Sequence, residues 1–280
     1  MKMNQTLSCE IRLTPILQPN NHSTILRLKL TIAYDGRPYS GWAIQPNGQT
    51  IQGLINKALS EVAKQELSLQ GSGRTDTGVH AEAQVGHFDA PENLQMNPYN
   101  WVPALNTKLP ATIRIIDCEE VPTDFHARFS ATSKSYEYFL ATAPVLHPML
   151  AGRAWHLPRQ LDPQDLEIAL SHYLGTHDFE AFAALRGNES ESTDYSRTIT
   201  ESSLTPCDGG YTLRFTGNGF LYKMVRLLTG SAVHVAQGRL RLDDHLALLD
   251  QSKTQGASSL TRAPYCAPAA GLTLKQVSYQ

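Results

Sequence analysis

The sequence predicts an α+β protein of two similar subdomains, each with a mainly antiparallel or mixed sheet flanked by helices, and an active-site cleft between them. Two observations support this prediction. Apolar residues alternate with polar ones, as is typical of half-buried strands, in both halves of the chain. Helical patterns stand between hairpin-linked strands, whereas a regular βαβα alternation would indicate a parallel sheet.

The N-terminal half begins with residues 1–24, which show no periodicity and which we expect to form a flexible extension. Alternating leucines predict a strand over 26–34. Thr50 is a candidate N-cap for a helix whose apolar residues recur at helical spacing: Ile51, Leu54, Ile55, Ala58, Leu59 and Val62. A second helix starts at Asn97-Pro98. Strands at 112–117 and 134–142 complete a subdomain that spans 25–145.

The C-terminal subdomain, residues 146–280, contains the same kinds of element. Asp162-Pro163 predicts the start of a helix that Gly175 ends. The segment Pro206–Gly209 predicts a hairpin between strands at 197–205 and 210–217. A helix is predicted over 220–237 and a shorter one after Asp243. A last strand is predicted at Leu272–Leu274.

Composition restricts the classes of function. The 280 residues carry a net charge of −2, and 41 % hydrophobic content is typical of a soluble globular protein. No apolar run approaches the roughly 18 residues of a membrane helix, so no membrane partner is expected. The N-terminus lacks a signal core and the four cysteines stand singly, which together predict a cytoplasmic protein. No zinc or P-loop signature is present, so neither a metal nor a cofactor is expected.

Positive charge is concentrated locally. Residues 209–242 contain five cations and no acid, which is compatible with a basic surface that binds a polyanion. Within this stretch, Asn218–Arg226 leads from a strand into a helix whose N-terminus is a natural anion site. Lys223 and Arg226 are spaced to share a helix face. The alternative interpretation is an ordinary solvated basic face.

Segment 71–81 reads Gly-Ser-Gly-Arg-Thr-Asp-Thr-Gly-Val-His-Ala and places Asp76 at the tip of a glycine-rich turn between two predicted strands. The glycines permit positive φ and close approach of a ligand. Arg74 favours the charged form of the carboxylate, and an ionised, rigidly held carboxylate can act as a nucleophile. Two alternatives are a turn that Asp76 merely caps and an aspartic protease. The protease would need a second such carboxylate from a homodimer.

The block Phe125–Tyr138 supplies aromatic and basic side chains. Tyr136 and Tyr138 lie on one face of the predicted strand. They fit either a tyrosine-rich core or the stacking of one ring on a base. Arg128 and Lys134 suit phosphate contacts. His80 is expected to be structural or to contact RNA, because no cysteine or carboxylate completes a metal site around it.

In this order and spacing, the motifs resemble the TruA-type tRNA pseudouridine synthases over residues 25–279. Gly71–Ala81 matches that family's aspartate motif in full. Phe125–Tyr138 and Asn218–Gly230 match two further motifs, and weaker matches include Gly41-Trp42. Ala43 stands where the family commonly has Gln, a small departure.

The resemblance implies an isomerase that converts uridine to pseudouridine at positions 38–40 of the tRNA anticodon stem-loop, as a homodimer without metal or cofactor. Asp76 would be the nucleophile, and it would attack C1′ of the ribose or C6 of the uracil after the base flips out. Arg74 would orient Asp76 and help to hold the vacated space. Tyr136 would pack against the flipped uracil and assist proton removal at C5, and Arg226 would pair with Asp76 or a phosphate.

The catalytic residues implied are therefore Asp76, Arg74, Tyr136 and Arg226, and the expected substrate-binding residues are Tyr136, Arg128, Lys134, Lys223 and His80. The expected partner is tRNA. Two other classes stay open at this point: a non-catalytic RNA-binding module and the aspartic protease.

Overall fold

The computed structural model describes residues 26–94, 96–158, 161–185, 187, 193–249 and 262–280. The predicted extension at 1–24 lies outside these ranges. The described strands are Leu26–Tyr34 (β1), Gln70–Gly71 (β2), His80–Ala90 (β3), Ile113–Val121 (β4), Ala131–Ala141 (β5), Trp155–His156 (β6), Gly175–Asp178 (β7), Ser196–Cys207 (β8), Gly210–Gly217 (β9) and Leu272–Tyr279 (β10). The described α-helices are Ile51–Ala63 (α1), Pro98–Asn106 (α2), Pro163–Ser171 (α3), Met224–Ala236 (α4) and Leu242–Ala247 (α5).

The described strands form one mixed sheet in the order β4-β1-β3-β10-β5-β9-β8-β7, with β2 beside β3 and β6 beside β5. The pairing is antiparallel except that β10 runs parallel to β3 and β6 runs parallel to β5. The last strand, β10, therefore lies between two strands of the predicted N-terminal subdomain, β3 and β5. Together with the flanking helices, this mixed sheet confirms the predicted α+β class.

Two hydrophobic clusters pack the helices against the sheet. One contains leucines of β1 together with side chains of α1 and α2, and Trp101 of α2 is fully buried in it. The other contains side chains of α3, α4, β5 and β9, with Tyr138 and Phe215 fully buried. A pair of subdomains requires two hydrophobic cores, because each subdomain packs around its own core. The boundary between residues 145 and 146 stays a prediction.

The predicted caps begin their helices as expected. The Thr50 hydroxyl accepts a hydrogen bond from the backbone N–H of Gly53 at 3.3 Å. The Asn97 side chain accepts from Tyr99 N–H at 3.0 Å, and Asp162 accepts from Gln164 N–H at 2.8 Å. Each bond satisfies an N–H group that has no partner within its own helix.

Four elements differ from the sequence prediction: helices α3 and α4 and the short strands β6 and β7. Helix α4 begins at Met224 rather than at 220, because Lys223 has a φ of 59° and the Tyr222 carbonyl accepts from Ala184 N–H. Lys223 therefore precedes the helix and does not share a helical face with Arg226. Helix α3 ends at Ser171, and Gly175 starts strand β7. The short strands β6 and β7 carry too few residues to show an alternating pattern.

The register at the centre of the sheet brings distant segments together. Leu274 of β10 lies opposite Ala81 of β3 on one side and opposite Tyr136 of β5 on the other. Ala81 follows Asp76 by five residues, so β10 sets the position of Tyr136 relative to Asp76. Within the described ranges, no helix is both long and apolar enough for a membrane span.

Candidate active site

The Asp76 turn (residues 72–79) connects β2 to β3, which pair in antiparallel fashion as the flanking alternation predicted. Its first residues are hydrogen-bonded to β3. Ser72 N–H donates to the Val85 carbonyl at 2.7 Å, and the Ser72 hydroxyl donates to Gln84 Oε1 at 2.6 Å. The Gln84 amide in turn donates to the Gly73 carbonyl at 3.2 Å. This part of the turn is therefore fixed to the sheet before any ligand binds.

Contacts at Thr75 fix the middle of the turn. Its hydroxyl is 2.7 Å from the buried Tyr34 hydroxyl, and its carbonyl accepts from Trp42 N–H at 3.0 Å. Gly41, which precedes Trp42, has a φ of +89°, and a Cβ there would lie 2.9 Å from the Thr75 carbonyl oxygen. Glycine is needed at 41 both for this backbone conformation and for the close approach.

Asp76 forms an ion pair with Arg226 in the first turn of α4. The Arg226 Nη1 lies 2.7 Å from Asp76 Oδ2, and Arg226 Nε donates to the Ala267 carbonyl at 2.8 Å. The guanidinium is thus held from two sides. The Asp76 side chain retains 20 % exposure, so the carboxylate is paired yet accessible from the cleft.

Arg74 was expected to orient Asp76, but its side chain is not paired with the Asp76 carboxylate. Its side chain is exposed at the cleft, and in the described part of the chain no hydrogen bond or ion pair joins it to Asp76. The two residues are separated by one position on a turn whose backbone is fixed elsewhere, which lets their side chains diverge. The ion pair to Asp76 is supplied by Arg226 instead. Whether Arg74 takes part in catalysis stays a prediction.

Tyr136 lies where the two hydrophobic clusters meet, and it contacts both. Its ring packs edge-on against Phe220 at a centroid distance of 5.1 Å and lines the cleft beside Asp76. Burial, with a smaller contribution from the Asp76 charge, raises the pKa of Tyr136, so the phenol stays protonated. Tyr138, by contrast, is a core residue whose hydroxyl donates to the Pro268 carbonyl at 2.7 Å.

The cleft has a volume of about 780 Å³ and takes its lining from both halves of the chain. Its described lining carries more cations than carboxylates. The cations are Arg74, Arg128, Lys134, Arg197, Lys223 and Arg226, and the carboxylates are Asp76 and Asp194. A concave surface of this sign attracts polyanions although the whole chain is weakly acidic.

Three of the predicted substrate-binding cations lie at the cleft in different settings. Arg128 is exposed, with its guanidinium 5.4 Å from the Phe129 ring. Lys223 is partly exposed and lies 5.2 Å from the Tyr222 ring. Lys134 is more enclosed, and its ammonium donates to the Ser72 carbonyl at 2.6 Å. Burial, together with the charge on Arg128, lowers the pKa of Lys134 to about 8.

His80 does not lie at the cleft, which corrects its prediction as a substrate-binding residue. It is 4 % exposed, its Nδ1 accepts from Gly36 N–H at 3.3 Å, and its Nε2 lies 3.0 Å from the Gly152 carbonyl. Burial lowers the pKa of His80, so the ring is neutral and both nitrogens are used within the protein. His80 supports the start of β3 rather than contacting a ligand.

Sequence reasoning did not select several residues that shape the site. Arg197 of β8 and Phe220 line the cleft, and Ser72 and Gln84 fix the turn. Gln84 is a buried polar residue within a strand, but such a position cannot be recognised before the pairing of strands is known. Among the described residues, no three His, Cys, Asp or Glu side chains converge to hold a metal ion.

Several known proteins are similar to this chain in sequence over most of its length. A family model described as tRNA pseudouridine synthase matches residues 30–130 and 169–280. A tRNA pseudouridine synthase A of Akkermansia muciniphila is 47 % identical over 90 % of this chain and 95 % of its own length. Proteins of the same name from Exiguobacterium sibiricum and Lacticaseibacillus casei are 39 % and 40 % identical, each over 90 % of this chain and over 96 % and 98 % of their own lengths.

The fold and the cleft thus define an α+β protein whose basic cleft contains a paired, accessible carboxylate. The chain belongs to the tRNA pseudouridine synthase family, as the motifs around Asp76, Tyr136 and Arg226 indicated. It is therefore an isomerase. This membership decides against the aspartic protease and the non-catalytic RNA-binding module. The geometry agrees, because Asp76 pairs with a guanidinium rather than with a second carboxylate.

Proposed function

We propose that this chain converts uridine to pseudouridine at positions 38–40 of the tRNA anticodon stem-loop, with Asp76 as the nucleophile. The observation that carries the proposal is the Asp76 carboxylate, held 2.7 Å from Arg226 on a fixed turn inside a basic cleft. The names of the curated relatives support tRNA as the substrate class.

The reaction rearranges bonds within one nucleotide. The bond between N1 and C1′ breaks, a bond between C5 and C1′ forms, C5 loses its proton, and N1 gains one. Oxidation state is unchanged overall, so no redox partner is needed. The Asp76 carboxylate adds to C1′ or to C6 and is released when the new bond is complete. Arg226 holds the carboxylate in place through the ion pair at 2.7 Å.

The target base has to leave the helical stack before either carbon can meet Asp76. A cleft of about 780 Å³ supports this step, because it has room for a flipped nucleotide. We assign packing against the flipped uracil to Tyr136, whose ring lines the cleft next to Asp76. The exposed guanidinium of Arg74 suits the space that the base vacates. In this proposal Tyr136 also assists removal of the C5 proton as a protonated phenol, through a hydrogen bond and not as the base that accepts the proton.

Phosphate contacts are assigned above all to the exposed Arg128 and the partly exposed Lys223 of the cleft, since phosphate binding requires accessible charge. The family resemblance further supports a homodimer that works in the cytoplasm. Sedimentation analysis at several protein concentrations tests the dimer. A single species with the mass of one chain at all concentrations would contradict it.

The experiment that tests the proposed function is a map of pseudouridine in tRNA after incubation with the protein. A tRNA transcript with uridines at positions 38, 39 and 40 is treated with a carbodiimide, and primer extension then locates the adducts. We expect new stops at these positions only. Stops confined to other regions of the tRNA would contradict the assigned positions, and an unmodified transcript would contradict the proposed substrate.

A further inference from the structure

The loop between β4 and β5 presents an aromatic ring to the cleft on a fixed backbone. In this rim loop, defined as residues 125–130, Ala127 is fully buried. Its N–H donates to His87 Nδ1 at 3.1 Å, and its carbonyl accepts from the Tyr279 hydroxyl at 2.7 Å. The next two backbone N–H groups, of Arg128 and Phe129, both point to His126 Nδ1, at 3.1 and 3.4 Å.

Hydrogen bonds also close the rim loop after Phe129. Ser130 N–H donates to the His126 carbonyl at 2.9 Å, and the Ser130 hydroxyl accepts from His126 N–H at 2.9 Å. The backbone is therefore hydrogen-bonded on both sides of Phe129. Because the backbone is already ordered, the Phe129 ring loses less conformational entropy when a ligand binds.

The Phe129 ring itself is 76 % exposed, although it lines the cleft. Its ring lies at a centroid distance of 4.4 Å from the His126 ring, and His126 lies 4.7 Å from His87 in turn. The phenyl ring thus contacts the His126 ring in a tilted arrangement, and the His126 ring contacts the His87 ring edge-on. Single exposed apolar side chains are common, but this ring lies at the rim of a basic cleft and beside the exposed Arg128.

We propose that Phe129 is a stacking platform for a nucleobase of RNA bound at the rim of the cleft. Aromatic rings stack on bases of any sequence, and neighbouring cations bind the backbone of the same strand. Arg128, whose guanidinium lies 5.4 Å from the ring, supplies such a cation. The inference rests on the proposed tRNA substrate but not on the chemistry of Asp76.

The test compares the affinities of the Phe129→Ala, Phe129→Leu and Phe129→Tyr variants for a tRNA transcript at one salt concentration. Stacking contributes about 1–3 kcal/mol per base, so Phe129→Ala is expected to weaken binding from about fivefold to about a hundredfold. Phe129→Leu is expected to resemble Phe129→Ala, because leucine offers apolar area without a π face. Phe129→Tyr is expected to bind as the wild type does.

The matched control is Tyr99→Ala, which removes a ring that is 74 % exposed on α2 and is not part of the cleft lining. It is expected to leave the affinity unchanged. Equal binding by Phe129→Ala and wild type, or full binding by Phe129→Leu, would overturn the inference. So would a change in the oligomeric state of Phe129→Ala, since the ring would then contact a second copy of the chain.

The outcome for the wild type separates this inference from the proposed function. If the wild type binds and modifies tRNA while Phe129→Ala binds equally well, only the stacking platform is wrong. If the wild type binds tRNA without modifying it, the proposed chemistry fails while a loss of affinity in Phe129→Ala still supports the platform. If the wild type does not bind tRNA, both proposals fail.

Discussion

At the scale of single residues, the site depends on which guanidinium meets the Asp76 carboxylate. Arg226 contributes Nη1 to that carboxylate and Nε to the Ala267 carbonyl, so its orientation is fixed before substrate arrives. Lys223 lies three positions before Arg226. Its backbone has the left-handed conformation, and its side chain lines the cleft. These two neighbouring cations are therefore expected to have different functions.

Substituting the two cations separately tests this division. Arg226→Gln is expected to lower kcat by about a hundredfold or more, because it removes a preorganised charge from the reacting group. It is expected to leave the salt dependence of tRNA binding unchanged. Lys223→Gln is expected to lower the slope of log Kd against log salt by about one unit, as for one phosphate contact, with a smaller change in kcat. Identical slopes for both variants would contradict the division.

The predicted place of Asp76 on a turn between two strands agrees with the structure, because turn residues and flanking alternation fall within one short segment. Its role as the nucleophile stays a prediction. The resemblance implied that Arg226 pairs with Asp76 or a phosphate, whereas residue spacing cannot indicate a pair of side chains 150 positions apart along the chain. Spacing in sequence favoured Arg74, and spacing does not tell where two side chains of a tight turn point. His80 was predicted to bind substrate because its motif lies at the site. Its ring is buried, which the motif does not show.

At the scale of elements, the Asp76 turn is held by strands β3 and β5 together. Lys134 of β5 donates to the Ser72 carbonyl at 2.6 Å, a bond between residues 62 positions apart. The ammonium is also close to Gly73, where a Cβ would lie 2.9 Å from Nζ. We therefore expect Lys134 to position the turn. The contact between Lys134 and the substrate, which the sequence predicted, stays a prediction.

Lys134→Met separates positioning from phosphate binding. Loss of one charge-assisted hydrogen bond of about 1.5 kcal/mol or more predicts a decrease in kcat of about tenfold or more. The salt dependence of tRNA binding is expected to remain that of the wild type, and Lys134→Arg is expected to restore part of kcat. A slope reduced by about one unit with unchanged kcat would indicate a phosphate contact instead.

Periodicity predicted the long elements because one face of each is buried. Helix α1 and strand β1 both follow their apolar pattern, and the Thr50 cap fixes the start of the helix. The predicted start of α4 at residue 220 was wrong. Residues 220–223 carry an apolar pattern, but the φ of 59° at Lys223 does not permit the helix to begin before Met224. The placement of β10 between β3 and β5 depends on pairing between distant segments, which local patterns do not specify.

At the scale of the whole molecule, buried histidines link stability to pH. His87 and His245 are both at most 4 % exposed. Burial is the main cause that lowers the pKa of His87 to about 4 and that of His245 to about 3, with smaller contributions from neighbouring histidines. The Tyr173 hydroxyl donates to the Leu228 carbonyl, so it accepts from His245 Nε2 at 2.7 Å. Among the described residues His245 Nδ1 is buried with no hydrogen-bond partner, so a second proton there would be an unsatisfied donor and the fold favours the neutral ring.

The sign of the pH dependence follows from these pKa values. The unfolded pKa is about 6.5, so the unfolded chain binds more protons than the folded one as pH falls below that value. The contribution to the free energy of unfolding is fully present above about pH 6.5 and is lost as pH falls toward 4 for His87 and toward 3 for His245. Each proton adds a slope of about 1.4 kcal/mol per pH unit within its window.

Urea unfolding at a series of pH values measures this slope. His245→Gln keeps a side-chain nitrogen donor but cannot titrate, so its slope below pH 6.5 is expected to be shallower than that of the wild type. His147→Gln, at an exposed position, serves as the control and is expected to keep the wild-type slope. An unfolding free energy that stays constant from pH 6.5 to 4 would contradict the assignment of neutral buried rings.

The central claim is that Asp76 is the nucleophile of uridine isomerisation, and single-turnover release of tritium from tRNA labelled at uridine C5 tests it most directly. Asp76→Asn is compared with Asp208→Asn, which removes an exposed carboxylate from the β8–β9 turn. RNA binding is measured on the same samples. We expect Asp76→Asn to bind tRNA and to release no tritium, and we expect Asp208→Asn to release tritium at the wild-type rate. Tritium release by Asp76→Asn at a rate near that of Asp208→Asn would contradict the claim.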